Sequence, residues 1–105
     1  MKTSKYTFLA IILVFTFSCS NQVIKWGQHY QKHQDFQSLK AVLDHLPKDA
    51  DTSTVQSILG EPIDMGFDYR YLLDSMGPNG CVIGAVFHIQ EGGKIGDKWI
   101  GEICE

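Results

Sequence analysis

The chain has 105 residues, a formal net charge of −3, 44% hydrophobic and 20% charged residues. That length fits one domain. The acidic balance leaves no electrostatic footprint for phosphates, which argues against nucleic acid as a partner and against docking on anionic lipid through a basic face.

The chain opens like an export signal. Lys2 and Lys5 form a positive n-region, Phe8 to Phe17 is a short apolar run interrupted only by Thr16, and the small Ser18 stands directly before Cys19. That is the three-part pattern of a cleaved leader, and the run is about half of the ~20 residues a membrane-spanning helix needs. Thr16-Phe17-Ser18-Cys19 resembles the lipobox of bacterial lipoproteins. The resemblance implies a diacylglyceryl group on the Cys19 sulfur, cleavage before Cys19, and acylation of the new amine. The family prefers Leu where Thr16 stands and a smaller residue where Phe17 stands, so ordinary secretory cleavage is the alternative. Each buried CH₂ is worth about 0.8 kcal/mol and two or more chains hold firmly. Ser20, where an Asp would retain such a protein, points by the family's sorting habit to the outer membrane. Removing residues 1–18 from the 105 leaves 87 and, with Lys2 and Lys5 gone, takes the formal charge to −5.

Residues 20–34, SNQVIKWGQHYQKHQ, are polar and rich in Gln, and read as a tether turning helical towards its end. Trp26 and Tyr30 are spaced i, i+4, a small apolar stripe, while Gly27 weakens a helix there. From Asp35 the period is helical: Phe36, Leu39, Val42, Leu43 and Leu46 share one side, Lys40 and Asp44 face away, and Pro47 is the stop. Asp51 is an N-cap for a second short helix whose inner side is Val55, Ile58 and Leu59. Gly60 supplies a left-handed C′ residue and Pro62 prevents continuation.

Beyond Pro62 the pattern alternates. Phe67, Tyr69, Tyr71 and Leu73 interleave with Asp68, Arg70 and Asp74, which predicts a half-buried strand. Residues 75–80, SMGPNG, are a turn cluster. Residues 81–90 form a second, central strand, Gly92-Gly93 a hairpin turn, and residues 99–104 a third strand. The expected fold is α+β: two N-terminal helices packed on a three-stranded antiparallel meander. The expected organisation is a leader over 1–18, a lipidated N-terminus and tether over 19–34, and a domain over 35–105.

With Cys19 assigned to lipid, Cys81 and Cys104 remain. In an exported domain this small a disulfide is the favoured state, and two free thiols are the alternative. Strand register separates the demands. A two-residue Gly92-Gly93 loop sets Cys81 opposite Cys104, but also Phe87 opposite Lys98, which is poor for a core face. A three-residue loop sets Phe87 against Trp99 and Ile83 against Ile103, with the cysteines on opposite faces. Both demands are met together only with a bulge in the third strand, at Gly96 or Gly101.

The helix closing in Leu59-Gly60-Glu61-Pro62, the strand Phe67-Asp68-Tyr69-Arg70-Tyr71 and the Phe87 strand leading into a glycine hairpin together resemble the BamE (SmpA/OmlA) lipoprotein family. The same ααβββ layout is similar to that of β-lactamase-inhibitor-like domains. The resemblance covers roughly residues 36–103 and implies a non-enzymatic module that binds other envelope proteins. Fold likeness does not carry function by itself.

Catalytic and metal chemistry were weighed against structural roles. His29 and His33 are spaced i, i+4 but lack a HExxH glutamate and a third ligand, and read as solvated. His45 suits a helix C-terminus. Ser57 and Ser75 have no triad partners in any motif, and Asp64, Asp68 and Asp74 read as an acidic rim. Neither metal nor cofactor is expected. Tyr69, Tyr71, Trp99 and Phe87 are more often core than recognition surface; His88 with Tyr69, Tyr71 and Trp99 is the candidate partner-binding surface, because any aromatic left exposed makes a contact anchor. The expected function is a lipid-anchored, non-catalytic binding or assembly module of the envelope, held to membrane lipid through Cys19 and partnered by envelope proteins. The alternatives are an inhibitor or immunity-type lipoprotein and, behind it, a small enzyme or metal binder.

Overall fold

A computed structural model describes residues 22–105. The leader, its cleavage site and Cys19 lie outside the described residues. Helix α1 covers 22–33, α2 Phe36–His45 and α3 Thr52–Leu59. Four strands follow: β1 Ile63–Asp64, β2 Asp68–Met76, β3 Val82–Ile89 and β4 Ile95–Glu102. They form one antiparallel sheet in the order β1-β2-β3-β4. The fold is α+β, with one more helix and one more strand than expected. Among the described residues, no helix is long and apolar enough to cross a membrane.

The two expected helices form for the expected reasons. Asp35 caps α2 by accepting from the Ser38 N–H at 3.0 Å, and Asp51 caps α3 by accepting from the Thr54 N–H at 2.9 Å. Leu39, Val42, Leu43 and Leu46 are buried along α2, and Val55, Ile58 and Leu59 along α3. Phe36 departs from its expected burial: it is half-exposed on the first turn, where the apolar stripe overruns the covered part of the helix. Leu46 is extended, as a residue preceding proline should be. Gly60 has φ 85° but ψ −161°, so the position demands glycine without being a left-handed helical residue.

The stretch read as a tether is helical over 22–33 and takes part in the core through Tyr30. Tyr30 is buried, meets the Tyr71 ring edge-on at 6.2 Å and donates to the Leu72 carbonyl at 2.6 Å. Gly27, which argued against a helix, is the residue that lets this helix dock. A Cβ there would lie 2.7 Å from Ile58 Cγ2 and closer still to the Ile58 carbonyl oxygen. Gln31 secures the same contact by donating to that carbonyl at 3.1 Å.

In the sheet, Tyr69, Tyr71, Leu73, Ala85 and Phe87 join the helices' apolar residues in a single core. Phe67 does not: β2 begins one residue later, and Phe67 is 58% exposed in the preceding bend. The register of β3 on β4 is the one that pairs Phe87 with Lys98 and Val86 with Trp99. Lys98 is tolerable there because β4 is an edge strand, from which a long side chain carries its charge to water. The hairpin loop is nonetheless three residues, closed by the Gln90 N–H donating to the Lys94 carbonyl at 2.7 Å, with Gly92 and Gly93 both at positive φ. One extra residue in β4 between Lys98 and Ile95 reconciles loop and register. That bulge lies at Gly96-Asp97, on the loop side of Phe87, so it leaves Trp99 off the core face.

Cys81 and Cys104 are disulfide-bonded, with Cα atoms 5.2 Å apart. Glu102 ties the same corner: it accepts from the Asn79 N–H at 2.8 Å and the Asn79 side-chain amide at 2.7 Å. With the Cys81 N–H also donating to Glu102 at 3.4 Å, the β2–β3 turn is stapled to the last strand by one covalent and three polar links.

Candidate binding face of the sheet

The helices cover the sheet face that carries Tyr69, Tyr71, Ala85 and Phe87. The opposite face is set by the strand register. One row crosses all four strands as Ile63, Arg70, Val86 and Trp99. Beside it Asp68 stands opposite His88, and on the other side Leu72, Gly84 and Gly101 form a row. The glycine pair makes a trough. A Cβ on Gly84 would meet the Tyr71 carbonyl at 2.7 Å and the Leu72 and Ile103 side chains at 3.1 Å, and one on Gly101 would touch the Trp99 ring at 3.7 Å. Trp99, Leu72 and Ile103 therefore lie over backbone that has no side chains of its own, as aromatic and aliphatic groups do over sheet glycines.

Arg70 sits in the middle of the long row. Its Nε donates to Asp68 Oδ1 at 3.3 Å, and its Nη1 donates to the Glu105 carboxylate, which the C-terminal tail brings across the face. These pairings, the Glu105 bond foremost, raise the guanidinium pKa further above its ordinary value. Val86 is buried beneath, while Ile63 and Trp99 at the two ends are 47% and 46% exposed. The arrangement is a neutralised charge flanked by two exposed apolar groups. Tryptophan and arginine in such a setting are the side chains that most often anchor protein contacts.

The residues assigned to a partner surface thus separate. Trp99 and His88 share this face and are exposed. Tyr69 and Tyr71 are core residues and present nothing to a partner; Tyr71 donates to the Gly60 carbonyl at 2.8 Å and Tyr69 accepts from Gln56 at 2.8 Å. The alternation could not say which side of β2 met the helices with its aromatics. Ile63 and Arg70 were not singled out, because β1 is a two-residue strand with no periodic signal.

A second cluster resembles catalytic geometry and is a helix cap. His29 Nδ1 lies 2.6 Å from Ser38 Oγ and 2.9 Å from Asp35 Oδ1, and the Ser38 hydroxyl donates to Asp35 Oδ2 at 2.8 Å. A triad needs the hydroxyl and the carboxylate on different ring nitrogens. Here one nitrogen faces both, and Ser38 is fully buried. Burial works against the Asp35 charge, but donation from Ser38 and His29 outweighs it and holds the carboxyl below its ordinary range. His33 lies against His29 with ring centroids 4.4 Å apart and planes tilted by 42°. Cys81, Glu102 and Cys104 also converge, but the sulfurs are bonded to each other and Glu102 is occupied by the turn.

Compared with known proteins, the chain matches no protein-family model, no curated protein and no solved structure.

Proposed function

We propose that this chain is a lipid-anchored, non-catalytic module of the cell envelope, held on the outer membrane through Cys19, which binds another envelope protein on the open face of its sheet. The observation that carries the reading is the row Ile63–Arg70–Val86–Trp99: two exposed apolar groups on either side of a paired arginine, on the face the helix-packed core leaves free. The lipobox-like start supplies the anchor. The order α2, α3, β2, β3, β4 is compatible with the BamE-like and β-lactamase-inhibitor-like layout, and α1 and β1 are additions to it. A photoreactive amino acid placed at Trp99 or His88 in intact cells should give one discrete adduct with an envelope protein. The same probe at Gln37, exposed on α2, should not. Equal, diffuse labelling from all three positions contradicts the reading.

A further inference from the structure

The N-terminal end of α1 exposes apolar side chains that the core does not use. Val23, Gly27 and Tyr30 face inward, and α1 is locked to the domain through Ile58 and Leu72. On either side of that inward stripe Ile24 and Trp26 are 38% and 41% exposed, with Lys25 between them in sequence. Ile24 and Val23 also line an open cleft of ≈ 430 Å³ that reaches Pro47 and Ile58.

The chain length between anchor and helix limits how far this end can stand from the membrane. Three residue steps separate Cys19 from Gln22, a span of at most about 11 Å even when fully extended. Trp26 lies about 6 Å further along the helix. The headgroup layer of one leaflet is itself roughly 5–8 Å thick. A lipid on Cys19 therefore keeps the first turn of α1 within about 11 Å of the anchored residue, in reach of the headgroup layer. Tryptophan favours that layer, since its ring is apolar and its N–H polar. A lysine there can reach phosphate while its stem stays among the apolar groups.

Resting on the lipid-anchored reading, we propose that the first turn of α1 is a membrane-contact surface, with Ile24 and Trp26 seated in the lipid headgroup layer and the domain oriented by that contact. The two tryptophans allow a direct test. Protein purified from membranes as the Trp99→Phe variant reports on Trp26 alone, and the Trp26→Phe variant on Trp99 alone. Each is reconstituted into phosphatidylethanolamine–phosphatidylglycerol vesicles, with and without brominated phosphatidylcholine. Trp26 emission should shift to the blue and be quenched by the brominated lipid, while Trp99 emission should do neither. Unquenched Trp26 in protein that floats with the vesicles overturns the contact and leaves the anchor standing. A blue shift without quenching that grows with protein density assigns the patch to a second copy and also overturns it. Protein that fails to float removes the anchor and the contact together.

Discussion

Gly27 shows how one residue can carry opposite meanings at two levels. Within a helix a glycine costs stability, yet here it lets α1 approach the Ile58 backbone more closely than any side chain permits. Gly27→Val should therefore act as overpacking, destabilising by about 1–3 kcal/mol or more, read as a lower urea midpoint; an unchanged midpoint means that α1 is not docked as described. Tyr30 lies one turn along the same contact. Burial pushes its phenol up to about 12, against a smaller lowering by Gln34, and burial raises Tyr71 in the same direction. A phenol whose folded pKa is raised contributes stability that is complete below the unfolded value near 10 and is lost as pH climbs towards the folded value. Urea midpoints should therefore fall between about pH 10 and 12, and Tyr30→Phe should flatten that fall. Asp51 behaves with the opposite sign. The Thr54 N–H, ahead of the Thr54 hydroxyl, holds its carboxyl below the ordinary range, so its contribution is present above the unfolded aspartate pKa and disappears as pH drops through the lowered value.

At the scale of elements, the disulfide closes a 23-residue separation and joins the two ends of the β3–β4 hairpin. The chain-entropy estimate for a loop of that size is about 3 kcal/mol. Replacing both cysteines by serine should cost about that much in urea unfolding, whereas a loss under about 0.5 kcal/mol would mean that Glu102 and the ladder hold the corner without the bond. The same elements show what the sequence could and could not disclose. Helices α2 and α3 were legible because cap, period and stop agree within each segment: Asp35 with Pro47, Asp51 with Gly60. The first helix was not, since its glycine is explained only by Ile58, far along the chain. The register of β4 was decided against local packing. The cysteine pairing and the packing of Phe87 on Trp99 conflict in any regular hairpin; the structure keeps the cysteine pairing and sets Lys98 beside Phe87 on an edge strand, and the bulge at Gly96-Asp97 accommodates the three-residue loop. β1 gave no signal because two residues cannot show alternation. The open face followed the same logic. His88 is legible as a strand residue facing away from Phe87 and Ile89, whereas the sequence does not tell which of Tyr69, Tyr71 and Trp99 is left exposed, and Ile63 and Arg70 become visible only with the four strands aligned.

For the whole molecule, the two proposed surfaces have separate work. The first turn of α1 faces the membrane, while the row from Ile63 to Trp99 is left for a protein partner. The disulfide-bonded corner and the Arg70–Glu105 pair hold the C-terminal tail against that row, so the tail is part of the surface a partner would meet. The proposed role depends on the chain being carried to an envelope membrane and held there by Cys19. Metabolic labelling with radiolabelled palmitate, comparing the unaltered chain with Cys19→Ala, tests that dependence most directly. Label is expected on the unaltered chain in the membrane fraction, and the Cys19→Ala chain is expected to be unlabelled and released from membranes. Persistent labelling of the Cys19→Ala chain, or an unlabelled and freely soluble unaltered chain, would contradict the proposed role.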